Sequence, residues 1–318
     1  MKVFVIGAGR WGSFITWYLD SIGHSVALYG REGSAKMKEL IQTRKNGVIS
    51  LPESVKLTTS LDTVTEYDAI LISIDSQGLS ALMDSLKEKN IKNKIFILCM
   101  KGIEIGTGKR LSEIVKEKTS PENSVAVWLG PGHVQEFYAG RPNCMVIDSE
   151  FDEVKAKLVQ EFSSSLIRFY YGADLIGNEI GAAAKNVIGI AAGMLDGLDL
   201  SSLKGALMAR GPREISRLVS ALGGNPVSVY GLCHLGDYEA TVFSKYSHNR
   251  AYGEAIIKGE KVEGLAEGYF TVKALIELSE KHSVDLPICS AVYRVIYENA
   301  SPKEEMERLF SRSLKREF

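Results

Sequence analysis

Along the first half of the chain, apolar residues come in short unbroken runs. "KVFVIG", "SVALYG", "AILISI", "KIFILCM", "SVAVWLG" and "NCMVID" are rich in valine, isoleucine and leucine. Runs of this length without polar alternation predict strands buried on both faces. Amphipathic stretches such as "WGSFITWYLDSIG" and "GLSALMDSLKEK" separate most of them. Such alternation predicts a parallel sheet covered by helices. A last short strand is expected at "LIRFYYG". From about Asp174 the apolar residues recur at helical spacing, and "EISRLVSALGG" and "GYFTVKALIELSEKH" read as amphipathic helices, the first ending in Gly-Gly. The pattern therefore predicts a doubly wound α/β domain over 1–175 and an all-helical domain over 176–318, with the boundary near Gly172–Gly177.

Composition narrows the function. With 38 Lys and Arg against 39 Asp and Glu, the formal net charge is −1 and no basic tract stands out. Nucleic acid and acidic membranes are not expected as main partners. Cys99, Cys144, Cys233 and Cys289 are far apart and form no CxxC, which speaks against a zinc knuckle or disulfide framework and fits a reducing cytosol. No metal is expected. No run of about 20 apolar residues exists to span a bilayer, and the opening "MKVFVIGAGRWG" is not expected to be a signal peptide.

That opening carries Gly7-x-Gly9-x-x-Gly12 between a predicted strand and a predicted helix. Gly7 makes the tight turn, Gly9 lets a pyrophosphate approach the backbone, and Gly12 lets helix and strand pack closely. The helix N-terminus then offers unpaired N–H groups to the phosphates. The pattern predicts a Rossmann-type dinucleotide site. An NAD site usually has an acid after the second strand, but here "ALYGRE" places Gly30-Arg31 there. A guanidinium suits a 2′-phosphate, so NADP is favoured. Glu32 keeps NAD open, and a solvated loop charge is the plain alternative for Arg31.

Ligands of open α/β sheets bind beyond the carboxyl ends of strands. There "KIFILCM" runs into Lys101-Gly102, and "SVAVWLG" into Gly130-Pro131-Gly132-His133. Lys101 either grips a phosphate or carbonyl or is a surface lysine. Gly130 and Gly132 form a second glycine turn opening a helix, another anion-binding end, and His133 is either a ligand group or, as lone histidines more often are, a bystander.

"GAAAKNVIGIAAG" puts Lys185 on a helix beside Gly181, Ala182, Ile188 and Gly189. This bare face is either closely packed, with the lysine reaching past it to water, or the wall of a cleft holding a partly desolvated ammonium suited to acid–base work. Spacing alone does not choose. Asn186 is a further candidate hydrogen-bonding group. Downstream, Asp237, Thr241, Ser247, His248, Asn249 and Arg250 form a polar cluster, with Asp237 and Thr241 four apart and so on one face if helical, an exposed polar loop being the plain alternative. An acid near Lys185 would hold it charged, and Arg250 could grip a phosphate.

Together these pieces resemble the NAD(P)-dependent glycerol-3-phosphate dehydrogenases over nearly the whole chain. The resemblance rests on the opening GAGxWG, "SIDSQGL", "KGIE", the Gly-Pro turn, "GNEIGAAAKNVIGIAAGMLDGL", "GLCHLGDYEAT", "SHNR" and "AEGYFTVKAL". It implies hydride transfer between the nicotinamide and C2 of glycerol 3-phosphate or dihydroxyacetone phosphate. It makes Lys185 the proton-transfer residue and Lys101 a contact to substrate and cofactor. Gly130, Gly132, Asp237 and Thr241 line the substrate pocket, with Ser247, His248, Asn249 and Arg250 beside it. Gly7, Gly9, Arg10, Trp11, Gly12, Val134 and Glu267 lie along the cofactor. The family's Ser-Arg-Asn is Ser247-His248-Asn249 here, so His248 stands where an arginine meets the phosphate, and Arg250 is the nearest arginine. Gly132, His133, Arg10 and Asp75 also depart from the family pattern. The resemblance further implies a cytoplasmic homodimer serving phospholipid biosynthesis. The competing expectations are a related dehydrogenase of a 3-hydroxy acid or ketopantoate-like acid, and a non-catalytic NADPH-binding sensor.

Overall fold

The computed structural model describes residues 1–260, 266–314, 316 and 317. They form two compact units. The first comprises 1–101 and 109–179, the second 102–108 and 180–318.

The first unit is built on an eight-stranded sheet. Its strands are β1 (Lys2–Ile6), β2 (Ser25–Tyr29), β5 (Lys56–Thr58), β6 (Ala69–Ile72), β7 (Ile95–Leu98), β8 (Ser124–Leu129), β9 (Asn143–Ser149) and β10 (Ile167–Tyr171), in the order β10-β9-β8-β7-β6-β1-β2-β5. All seven predicted apolar runs are strands. Val3, Phe4, Val5 and Ala69 through Ile72 are fully buried, as strands covered on both faces require. Two features had no signal in the pattern. The edge strand β5 has only three residues, and β3 (Lys45–Asn46) with β4 (Ile49–Ser50) makes a separate small hairpin.

The sheet departs from the expected parallel arrangement at one place: β8 and β9 pair antiparallel, while β10 is parallel to β9. The connection explains this. A parallel return must recross the whole sheet, usually on a helix. The helix between β8 and β9, α5 (Val134–Tyr138), has five residues, about 7.5 Å of rise, too short for that crossing.

The other helices of this unit are α1 (Arg10–Ser21), α2 (Ala35–Thr43), α3 (Leu79–Leu86), α4 (Leu111–Lys118) and α6 (Asp152–Phe162). Phe14, Tyr18, Trp128 and Phe162 pack at centroid separations of 5.7–6.1 Å, and the Tyr18 hydroxyl donates to the Phe162 carbonyl at 2.5 Å. This cluster pins α1, and so the turn before it, against the sheet.

The division between units falls after Glu179, inside α7 (Leu175–Gly197). Glu179 is buried and closes the first unit. Its carboxylate accepts from the Ser112 amide at 2.9 Å, the Ser112 hydroxyl at 2.6 Å and the Arg110 guanidinium at 2.7 Å.

The second unit is helical: the rest of α7, α8 (Lys204–Ala221), α9 (His248–Lys258), α10 (Glu267–Lys281), α11 (Pro287–Tyr297) and α12 (Pro302–Phe310). Helix α8 begins ten residues before the "EISRLVSALGG" pattern, because Gly211 and Pro212 lie inside it and mask its period. Its end is the expected glycine stop, with Gly223 at φ +83°. Between α8 and α9 the chain makes a 3₁₀ turn at Leu235–Asp237 and a π turn at Glu239–Phe243. Irregular helical turns of this kind recur at functional sites. Among the described residues no helix is long and apolar enough to cross a membrane.

Candidate functional site

In the first unit the candidate residues gather at the carboxyl ends of parallel strands. β1 pairs with β2 on one side and β6 on the other, so the sheet's direction of winding reverses at β1, where ligands of such sheets bind. Gly7 follows β1 at φ +123°, and a Cβ there would sit 2.0 Å from the Ser73 carbonyl oxygen. At Gly12 a Cβ would sit 1.9 Å from the Gly7 oxygen. Both positions are locked by backbone. Gly9 differs: a methyl group there would meet no atom within 4 Å. It is also the N-cap of α1, with no side-chain cap. A helix start with bare space before it fits a pyrophosphate. Arg10 is exposed and Trp11 half-buried on the first turn of α1. Arg31 and Glu32 are both exposed just beyond β2.

Lys101 follows β7, and its Nζ donates to the Gly130 carbonyl at 3.0 Å. Gly130 and Gly132 both have positive φ, +127° and +144°. A Cβ on Gly132 would lie 2.1 Å from the Phe137 ring, so this turn needs glycine at both places. Val134 is buried at the start of α5 and His133 caps it. Asp75 accepts from the Gln77 amide at 2.8 Å in the loop after β6.

In the second unit Lys185 is 8% exposed. Its ammonium lies 3.0 Å from Asp237 Oδ2 and donates to Thr241 Oγ1 at 2.6 Å. Thr241 in turn donates to the Asp237 main-chain carbonyl at 2.8 Å. The two open readings of α7 thus combine. The bare face is closely packed, yet the lysine turns into a buried polar cluster instead of reaching water. A Cβ at Gly189 would lie 2.6 Å from Thr241 Cγ2, and one at Gly193 would lie 1.9 Å from the Arg250 carbonyl oxygen. On α9, a Cβ at Gly253 would lie 2.0 Å from the Ile190 oxygen. Helices α7 and α9 therefore touch backbone to backbone, and Asp237 and Thr241, in the turns before α9, meet the lysine.

Asn249 joins this cluster. Its amide donates to Asn186 Oδ1 at 3.1 Å and its oxygen accepts from the Gly268 amide at 2.9 Å. Ser247 is the N-cap of α9, accepting from the Arg250 amide at 3.2 Å, and His248 is exposed on the first turn. Glu267 begins α10.

Arg250 is not brought to the lysine. Its guanidinium bonds Asp196 at 2.8 Å, Glu254 at 2.9 Å and the Ser244 carbonyl at 3.3 Å. Asp196 is eleven residues beyond Lys185 on α7, roughly 16 Å along the axis. Two carboxylates already neutralise this arginine, and Lys204 shares Asp196 at 2.7 Å.

Sequence reasoning missed His234. It is buried, its Nδ1 is 2.8 Å from the Gly181 carbonyl, and its Nε2 is 2.8 Å from the Tyr238 hydroxyl. Burial lowers its pKa to about 4, so it is neutral at pH 7. Nδ1 carries the proton donated to Gly181 and Nε2 accepts from Tyr238. The Gly181 carbonyl is four residues before Lys185 on α7, so His234 ties the Asp237 turn to the lysine's own helical turn. The signal in the sequence was its place three residues before Asp237.

A reversal point with an open glycine turn, and separately a buried ammonium held by a carboxylate, define the class of nicotinamide-nucleotide dehydrogenases with a helical second unit. Comparison with known proteins narrows this. Residues 2–155 match the model of the NAD-dependent glycerol-3-phosphate dehydrogenase N-terminus and residues 174–307 that of its C-terminus. A glycerol-3-phosphate dehydrogenase (NAD(P)+) of Thermoanaerobacter sp. (strain X514) is 36% identical over 332 residues, covering 100% of this chain and 99% of the relative. One of Prosthecochloris aestuarii is 34% identical over 333 residues, covering 100% of each. The crystal structure of a glycerol-3-phosphate dehydrogenase from Coxiella burnetii superposes with a TM-score of 0.92 at 27% identity, over 98% of this chain and 99% of that one. The chain belongs to the NAD-dependent glycerol-3-phosphate dehydrogenase family, and it is an NAD(P)-dependent oxidoreductase.

Proposed function

We propose that this enzyme interconverts dihydroxyacetone phosphate and sn-glycerol 3-phosphate, with Lys185 as proton donor and acceptor. The observation that carries the reading is the buried Lys185 ammonium held between Asp237 and Thr241, in a chain of this family. When bound, the nicotinamide supplies or takes the hydride at C2. During reduction the C2 carbonyl oxygen gains negative charge. Lys185 stabilises that charge and then donates its proton, leaving the alcohol. Asp237 holds the lysine in its charged form between turnovers. Thr241 gives its own proton to the Asp237 carbonyl, which leaves its oxygen to accept from the lysine and orient it.

Lys101, on the Gly130 carbonyl, steadies the second glycine turn against substrate. Gly7, Gly9 and Gly12 form the cofactor turn, with Arg10, Trp11, Val134 and Glu267 as further cofactor contacts. Arg31 supports a preference for NADP, since no acid stands at Gly30. His248, exposed on the first turn of α9 between Ser247 and Asn249, takes the phosphate contact of the family's arginine, while Arg250 serves the Asp196 network. The family and the four free cysteines support a cytoplasmic enzyme, working as a homodimer in phospholipid biosynthesis.

Steady-state kinetics with dihydroxyacetone phosphate, against NADH and NADPH separately, test the reading. Lys185→Ala is expected to lower kcat by about 10³-fold or more, with NADPH binding intact. Near-normal turnover in that variant sinks the proton-transfer role. His248→Ala is expected to raise KM for dihydroxyacetone phosphate by about tenfold, and Arg250→Ala to leave it within about twofold. The reverse pattern would return the phosphate to Arg250.

A further inference from the structure

The second unit contains a cavity of about 510 Å³ to which the proposed reaction gives no role. Its size lies within the range of small-molecule sites, about 300–1,000 Å³. The walls are mostly apolar, from the last half of α7 (Ala191, Leu195), from α11 (Val292, Val295) and from α12 (Met306, Leu309). Neither Lys185, Asp237 nor Thr241 lines it.

The polar groups are distributed unevenly around it. Arg210, Arg213 and Arg217 on α8 stand three, four and seven apart, hence in one stripe along the cavity. Arg312 and Arg316 join them from the segment after α12. The acids facing these five arginines are largely committed. Glu214 is buried and accepts from the Ile288 and Cys289 amides at 2.8 and 3.0 Å. Glu305 is bonded by Arg294 at 2.9 Å, and Asp285 pairs with Arg312. One carboxylate sits on the stripe itself: Glu317 accepts from Arg210 at 2.6 Å, and its main-chain carbonyl accepts from Arg213. That pair is largely exposed, 44% and 63% for the two side chains, and exposed pairs hold weakly.

We propose that this cavity binds an alkyl carboxylate, with its chain between α7, α11 and α12 and its head on Arg210 and Arg213, in the place that Glu317 occupies. The observations that select this ligand are the seated carboxylate, the excess of arginine at one side and the apolar walls behind it. The site is separate from the Lys185 cluster and stands whichever substrate that cluster serves.

Isothermal titration of the full-length enzyme with decanoate tests this. The expected result is one site per chain with a Kd of tens of micromolar. Octanoate, two methylenes shorter, should bind about fifteenfold more weakly, since each buried methylene adds about fourfold in affinity. Decanol and acetate should not bind at the same concentrations. Arg210→Ala should weaken decanoate about tenfold. Glu317→Gln, which removes the internal competitor's charge, should tighten it about threefold. Both changes lie on the surface and leave the fold intact, which circular dichroism verifies. Three results overturn the proposal: equal affinity in wild type and Arg210→Ala, no binding in either wild type or Glu317→Gln, or decanoate that competes with dihydroxyacetone phosphate. A change of mass by light scattering in Arg210→Ala, with no decanoate bound by wild type, would instead make this face a contact between copies of the chain.

Discussion

The turn at Gly7–Gly12 and the face of α7 from Gly181 to Gly193 are both stripped of side chains, for opposite reasons. In the turn, Gly7 and Gly12 are locked against backbone while Gly9 opens onto empty space. Along α7, Gly181, Gly189 and Gly193 are each filled by another element: His234, Thr241 with Asn249, and the backbone of α9. A glycine without a neighbour leaves room for a ligand. A glycine with a backbone against it is part of the packing, and here that packing delivers Asp237 and Thr241 to a lysine. Composition does not distinguish the two cases; the partner atoms do.

Substitutions can break the comparison. The largest effect is expected at Gly193→Ala. Its methyl would meet the Arg250 oxygen and the Glu254 amide at 1.9 and 2.8 Å, neither of which can turn aside. A loss of about 3 kcal/mol or more, or roughly 10 °C in Tm, should follow; a Tm within a degree or two of wild type would show that the helices do not touch there. Gly189→Ala is the intermediate case, because its methyl presses on a side chain, Thr241 Cγ2 at 2.6 Å. Thr241 must shift and the lysine loses its orientation. We expect kcat to fall about tenfold or more with KM for NADPH unchanged, and normal kcat would separate packing from chemistry. The smallest effect belongs to Gly9→Ala. The backbone at φ −74° and ψ 179° accepts alanine, so the apo protein should melt normally. If the pyrophosphate lies there, as proposed, the methyl takes its space, and KM for NADPH should rise about tenfold, some 1.4 kcal/mol. A loss of stability without a change in KM would make Gly9 another packing glycine.

Much of the fold was legible because its cause is local. A strand buried on both faces must be apolar throughout, so the runs at β1, β2, β6, β7, β8 and β9 announced themselves, while the edge strand β10 leaves Arg168, Tyr170 and Tyr171 exposed. The antiparallel step at β8–β9 did not, since the side-chain period is the same for either direction and only the five-residue α5 rules out a crossing. Helix α8 was half hidden because Gly211 is set by the Tyr238 hydroxyl, 2.7 Å from where its Cβ would be, and not by the helix itself. At the site, the glycine fingerprint was readable from spacing. The Lys185–Asp237 pair was not fixed: 52 positions separate the partners, and the sequence offered only that an acid near the lysine would hold it charged. Arg250 was visible in sequence as a charge that could grip a phosphate; its ion pairs with Asp196 and Glu254 were not. His234 went unread because one buried histidine resembles any other until its two hydrogen bonds are known.

The amino-acid sequence by itself determined which segments become strands and helices, where the glycine turn between β1 and α1 lies and which family the chain resembles. These follow from burial periodicity, glycine's backbone freedom and short motifs, all properties of neighbouring residues. Tertiary structure alone decided which charges meet. Lys185 keeps Asp237, Arg250 keeps Asp196, and Glu214 takes two amides at the start of α11, because ion pairs and close helix contacts depend on distances in space that no local period encodes.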